Sequence, residues 1–133
     1  MDLISQTKKI MLNAIKSFAK KDGVPQTEAQ FLISTEDIES CIPKYLYMLK
    51  HFPQRFVNFN EILGVKIDFL GRELVAQPFI ARTIKRLSKE QEISPLKVKV
   101  LIYSKGEDDV SLYFFADKKP IKELTFDYIF EGV

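Results

Sequence analysis

The residue pattern predicts an α+β fold: a single two-layer domain, with amphipathic helices packed on one face of a mostly antiparallel sheet that ends in a C-terminal three-stranded meander. Three observations carry this. Two segments repeat apolar residues at three-to-four spacing, and several others alternate every second residue. The predicted order is helix, helix, two strands, helix, three strands, which keeps helices and hairpins in separate runs. At 133 residues the economical organisation is one domain, 1–133, with no evident internal repeat, low-complexity tract or linker.

The first helix is expected over about Leu3 to Lys20. Leu3, Ile4, Ile10, Met11, Ala14, Ile15 and Phe18 form its stripe, and Lys9, Asn13, Lys16 and Lys20 lie opposite. Gly23 and Pro25 stop it. Thr27 and Gln30 have the spacing of a capping box. Phe31-Leu32-Ile33 fits a strand or a helical turn, and the turn is the reading preferred here. Ser34 or Thr35, followed by Glu36, Asp37 and Glu39, reads as a helix start. Pro43 then kinks or divides that helix. From Pro43 to Phe52 the expected buried side is Tyr45, Leu46, Met48, Leu49 and Phe52, with Pro53 as the stop.

Residues 56–76 read as β. Val65, Ile67 and Phe69 alternate with Lys66 and Asp68; Gly71 turns the chain, and Gly64 marks a bulge or a strand end. Pro78 fits the first turn of a second long helix. After Pro95 the meander follows: "LKVKVLIY", a turn at Gly106, "VSLYFFA" with both faces apolar, and "IKELTFDYIF" with Leu124, Phe126, Tyr128 and Phe130 on one face.

Composition narrows the function classes. Hydrophobic residues at 46% and charged residues at 29% imply a packed core, not disorder. Net charge is +2 and the isoelectric point about 8.6, so any acidic partner must be met by a local patch. The one cysteine, Cys41, rules out an internal disulfide and points to a reducing compartment. Without a signal-peptide pattern or a membrane-length apolar run, the expected location is cytoplasmic, with no membrane partner.

Catalytic signatures are sparse. His51 is the only histidine, so Cys41–His51 is the one conceivable nucleophile–base pair; a half-exposed helix histidine and a buried cysteine is the plainer expectation. No cofactor and no metal is expected. Zinc needs more His and Cys than the chain has, Glu107-Asp108-Asp109 reads as a solvated hairpin tip, and there is no phosphate-binding glycine loop. Asp68 and Asp127 read as exposed strand carboxylates.

Two surfaces remain. On a helical wheel Ile80, Ile84 and Leu87 share one face, and Arg82, Lys85, Arg86 and Lys89 form a band opposite. A solvated face is the plain reading of that band; contact with phosphates or an acidic protein is the functional one. Lys8, Lys9, Lys16, Lys20 and Lys21 of the first helix could extend it. On the helix expected at 43–52, Lys44, Tyr47 and His51 share a side, and an exposed Tyr47 beside His51 would anchor a protein contact. The expected function is a small non-enzymatic module that binds a protein partner or assembles with itself through a Phe-rich sheet face or edge. Nucleic-acid contact through the basic helix comes second. A cone-shaped α+β domain that binds or transforms a small molecule comes third. Phages and mobile elements often encode small proteins of this kind, an origin that no residue here carries.

Overall fold

Alternate burial from Ala29 to Thr35 makes that segment a strand, β1, where a helical turn was expected. Its even-numbered side chains are half-buried and its odd-numbered ones lie in the core. The computed structural model describes residues 2–63 and 66–131. The bulge expected at Gly64 and the alternation expected at Val65 lie outside them.

Helix α1 (Leu3–Asp22) is capped by Asp2, whose carboxylate accepts the Ser5 N–H at 2.8 Å, and ends on Gly23 at φ 65°. β1 is followed by β2 (Pro43–Leu49), β3 (Phe52–Val57) and the short helix α2 (Phe59–Ile62). β4 (Lys66–Phe69) and β5 (Arg72–Val75) form a separate hairpin, held to α1 where Asp68 N–H donates to Gln6 Oε1 at 3.0 Å. Helix α3 (Ala76–Gln91) leads into β6 (Val98–Ser104), β7 (Val110–Ala116), β8 (Lys119–Leu124) and α4 (Phe126–Phe130).

The main sheet has the order β3-β2-β1-β6-β7-β8, with every neighbouring pair antiparallel. The long helices cover one face: α1 packs on β1, β6 and β7, and α3 on β6 and β2. Between helices and sheet lies one core, with Met11, Ile15, Phe31, Tyr45, Ile84, Ile102, Leu112 and Phe114 almost fully enclosed. The α+β class, the helices on one face and the C-terminal β6-β7-β8 meander are as the sequence predicts.

Besides β1, and besides α2, which lies within the 56–76 segment expected to be β throughout, three expected elements are different. Residues 34–41 do not form a helix, because the Asp37 carboxylate accepts the Glu39 and Ser40 N–H groups at 2.9 and 3.2 Å and closes a turn instead. Residues 43–52 are β2, the turn after it and the first residue of β3: Tyr45 and Tyr47 point to the core while Lys44, Leu46 and Met48 point away. The last strand stops at Leu124, where Thr125 Oγ1 accepts the Tyr128 N–H at 3.3 Å and starts α4.

The fold also contains a repeat that the residue identities conceal. Helix–βββ–helix occurs twice, and the two copies match in backbone detail. Gly23 and Glu92, both at positive φ, end the long helices. Val24 N–H bonds to Ala19 O and Ile93 N–H to Ser88 O, each at 3.0 Å. A 3-10 turn precedes each first strand (Gln26–Glu28 and Pro95–Lys97). The second hairpin turns on Lys50 (φ 56°) in one half and Asp117 (φ 60°) in the other. Their N–H groups donate to Glu28 O and Lys97 O at 2.7 and 2.6 Å. Both edge strands carry a proline, Pro53 or Pro120, beside the same register shift. Within the β1–β6 pair, Leu32 faces Leu101, its own counterpart. A pseudo-twofold axis therefore passes between these two leucines.

Tyr45 is almost wholly buried and its hydroxyl has no hydrogen-bond partner among the described residues; burial pushes its phenol well above the usual tyrosine range. Tyr45→Phe removes an unpaired polar atom without changing the ring. We expect a gain of about 1–3 kcal/mol in urea unfolding. A loss of stability would show that the hydroxyl is satisfied in solution.

Candidate binding face

Half of the basic band on α3, its two arginines, is spent inside the molecule. Arg82 Nη2 donates to Ile129 O and Glu131 O at 3.3 and 2.9 Å. Arg86 Nη1 donates to Tyr128 O at 2.7 Å, and Nη2 meets Glu131 Oε2 at 2.7 Å. The Arg86 guanidinium also lies 4.0 Å above the Tyr128 ring. The C-terminal carbonyls of a helix lack partners within it, and these arginines supply them for α4. Lys85 and Lys89 stay exposed. The predicted band is thus split between a structural clamp and two solvated lysines.

Tyr47 and His51 do not share a surface. Tyr47 is buried on the helix side of β2, where its hydroxyl donates to Asp22 at 2.5 Å and its ring packs on Phe18 and Phe31. Burial, then this bond, raise its phenol above the ordinary range. His51 is exposed in the β2–β3 turn, and Lys44 points to the open side, paired to Glu36 at 2.7 Å. Cys41 is buried before β2 begins, and burial pushes its thiol up. Seven residues of strand separate it from the His51 turn, about 23 Å at 3.3 Å per residue, so the two do not form a catalytic pair. Among the described residues no group of three His, Cys, Asp or Glu side chains is placed to hold a metal ion.

The notable surface is the sheet face that the helices leave open. Polar side chains are usual on such a face. Here Phe56, Leu46, Leu32, Leu101 and Tyr113 are successive register partners across five strands, forming an apolar row that crosses the pseudo-twofold axis between Leu32 and Leu101. Phe56 is 60% exposed. A groove of about 490 Å³ crosses this row diagonally, between the β2–β3 and β7–β8 turns. Leu32, Leu101, Met48 and Phe115 form its floor; Gln30, Lys50, His51, Lys99, Asp117 and Lys118 form its rim. Those ten residues are five pairs of counterparts in the two halves of the repeat. No protein-family model, curated protein or solved structure matches this chain. The groove must therefore be read from its own chemistry.

That chemistry is an apolar floor with a net cationic rim: Lys50, Lys99 and Lys118 against Asp117. Lys50 is partly offset by Glu28 at 3.4 Å, and Lys99 donates to Leu96 O at 3.3 Å. A second recess of about 500 Å³ lies between α1, β7, β8 and α4, but its Lys105 and Glu123 are already paired at 2.6 Å. Of the predicted residues, only His51 reaches the groove. The floor residues carried a signal nonetheless: "FLIS", "LYML", "VLIY" and "LYFF" are apolar at both parities, more than a sheet covered on one side requires.

Arg86→Ala should cost about 1–3 kcal/mol in thermal or urea unfolding through the lost charge-assisted bonds. It should leave gel-shift behaviour with nucleic acid unchanged across a salt series. Unaltered stability together with lost nucleic-acid binding would make Arg86 a ligand residue. Burial and the 2.8 Å bond to Glu90 push the Tyr128 phenol up to about 12. The folded value lies above the ordinary one near 10, so this contribution is complete below pH 10 and is lost as pH rises through 12. Tyr128→Phe should flatten that part of the alkaline stability profile.

Proposed function

We propose that this protein works by binding a protein partner on its open sheet face, not by catalysis. The single observation that carries the reading is the apolar row from Phe56 to Tyr113, left uncovered at the centre of the sheet. A monomeric protein rarely exposes a continuous apolar patch without a use for it. Both edges of the same sheet are guarded. Pro53 and Pro120 each remove a backbone donor, and a register shift beside each breaks the ladder. Contact through the face therefore has support that contact through an edge lacks. Nucleic-acid binding through α3 loses support in turn, because its two arginines already hold α4.

Site-resolved crosslinking in the cell of origin tests this. A photoreactive side chain at Leu101 should capture a discrete protein, and the same group at Lys85 on the helix layer should not. Capture from Lys85 alone, or from neither position, would overturn the reading. Leu101→Glu should abolish complex formation while the half-exposed position keeps the fold, as circular dichroism checks.

A further inference from the structure

The geometry points to one kind of occupant: an amphipathic helix of a partner protein, apolar at its middle and acidic at both ends. This rests on the reading of the open face above.

The form follows from the floor. β1 and β6 are interior strands, paired on both sides, so their backbones offer nothing to an incoming chain. An extended segment laid across them would bury its own amides unpaired, whereas a helix satisfies its amides internally. Edge addition, the usual route for an extended segment, meets Pro53 and Pro120.

The length follows from the register. From Met48 to Phe115 is three strand spacings across and four residues along, roughly 20 Å at the usual strand dimensions. A helix covers that in about 13 residues.

The charge pattern is read from the rim. Lys50 and His51 stand at one end of the groove, where Glu28 partly offsets Lys50, and Lys99 and Lys118 stand beside Asp117 at the other, with the apolar floor between. Carboxylates at either end of the helix would meet a cation. A second copy of this chain on the groove would set two rims of the same net positive charge against each other. A flat anionic membrane would touch the rim but not the recessed floor, which lies between two hairpin turns.

The test uses the full chain and two synthetic 14-residue peptides. Both carry leucines at i, i+3 and i+7 in the middle; one has glutamates at each end, the other lysines. The acidic peptide should bind, gain helical circular dichroism, and bind at least tenfold tighter than the basic one at low salt. Lys99→Glu with Lys118→Glu, at rim positions, should abolish or reverse that preference without lowering stability. Equal binding of both peptides would overturn the charge pattern and leave the face as a protein site. If neither peptide binds while Leu101 still crosslinks to a protein, the helical form is wrong and the broader reading survives. Binding to phosphatidylserine vesicles in place of the peptide, or a dimer in light scattering that Leu101→Glu dissolves, would overturn the proposed occupant.

Discussion

The fold depends on the antiparallel pairing of β1 with β6. Without it there would be two three-stranded meanders, each with two open edges. The pairing joins them into one six-stranded sheet through the register Phe31–Ile102, Leu32–Leu101 and Ile33–Val100. It is a short seam, and the helices secure it from one side. α1 reaches from β1 across to β6 and β7, while α3 reaches from β6 across to β2. Gln26 adds a polar tie, donating from the first half to Ser104 Oγ and Glu107 O at 2.9 and 3.0 Å. Phe31 and Ile102 face the core at the seam, and Leu32 and Leu101 face the other way. The register that builds the core therefore also builds the centre of the groove.

The two halves agree where the backbone is constrained and differ where side chains carry charge. Turn residues at positive φ, helix ends, register shifts and edge prolines recur. At the turns beside the groove the charges are exchanged: Glu28 and Lys50 in one half answer to Lys97 and Asp117 in the other. The arginine clamp has no counterpart. Arg82 and Arg86 correspond in position to Asn13 and Ser17, and α2 is steadied instead by Glu61, which accepts the Asn58 N–H at 3.2 Å and meets Arg55 at 3.4 Å. A closed two-layer architecture tolerates such divergence, because each short helix needs only some partner for its exposed backbone groups.

This explains which parts of the molecule the sequence revealed. α1 and α3 were legible because their apolar period is long and uninterrupted, β6 because its alternation is bounded by turns, and β7 because its apolar run is short and bounded by turns. β2 was not. Tyr45, Leu46, Met48 and Leu49 fit a helical stripe as well as a strand, and only pairing with β1 and β3 decides between them. α4 was hidden because "LTFDYIF" alternates perfectly well as a strand; the Thr125 cap and the two arginines convert its last turn into a helix. That same exchange moved Arg82 and Arg86 from ligand candidates to structural residues. The repeat stayed invisible because it is kept in backbone geometry, with few shared residues such as Leu32/Leu101, Pro53/Pro120 and Phe59/Phe126.

An uncovered apolar face is a hazard as well as a resource, and its surroundings bear on which it is here. The edges, where pairing with another chain is least selective, are blocked by proline and by broken register. The face has no such block at its centre, and its rim is charged. Cations around an apolar floor discourage like copies from stacking, yet they leave a complementary acidic surface attracted to it. Edge and face are thus treated oppositely within one sheet. A protein that only needed to stay soluble could have placed polar residues at Leu32, Leu46 and Leu101, where the side chains are half-buried and lie on the face away from the core. Keeping them apolar has a stability and solubility cost that packing against the helices does not require, and a bound partner is the physical compensation that the groove's shape and charge best fit.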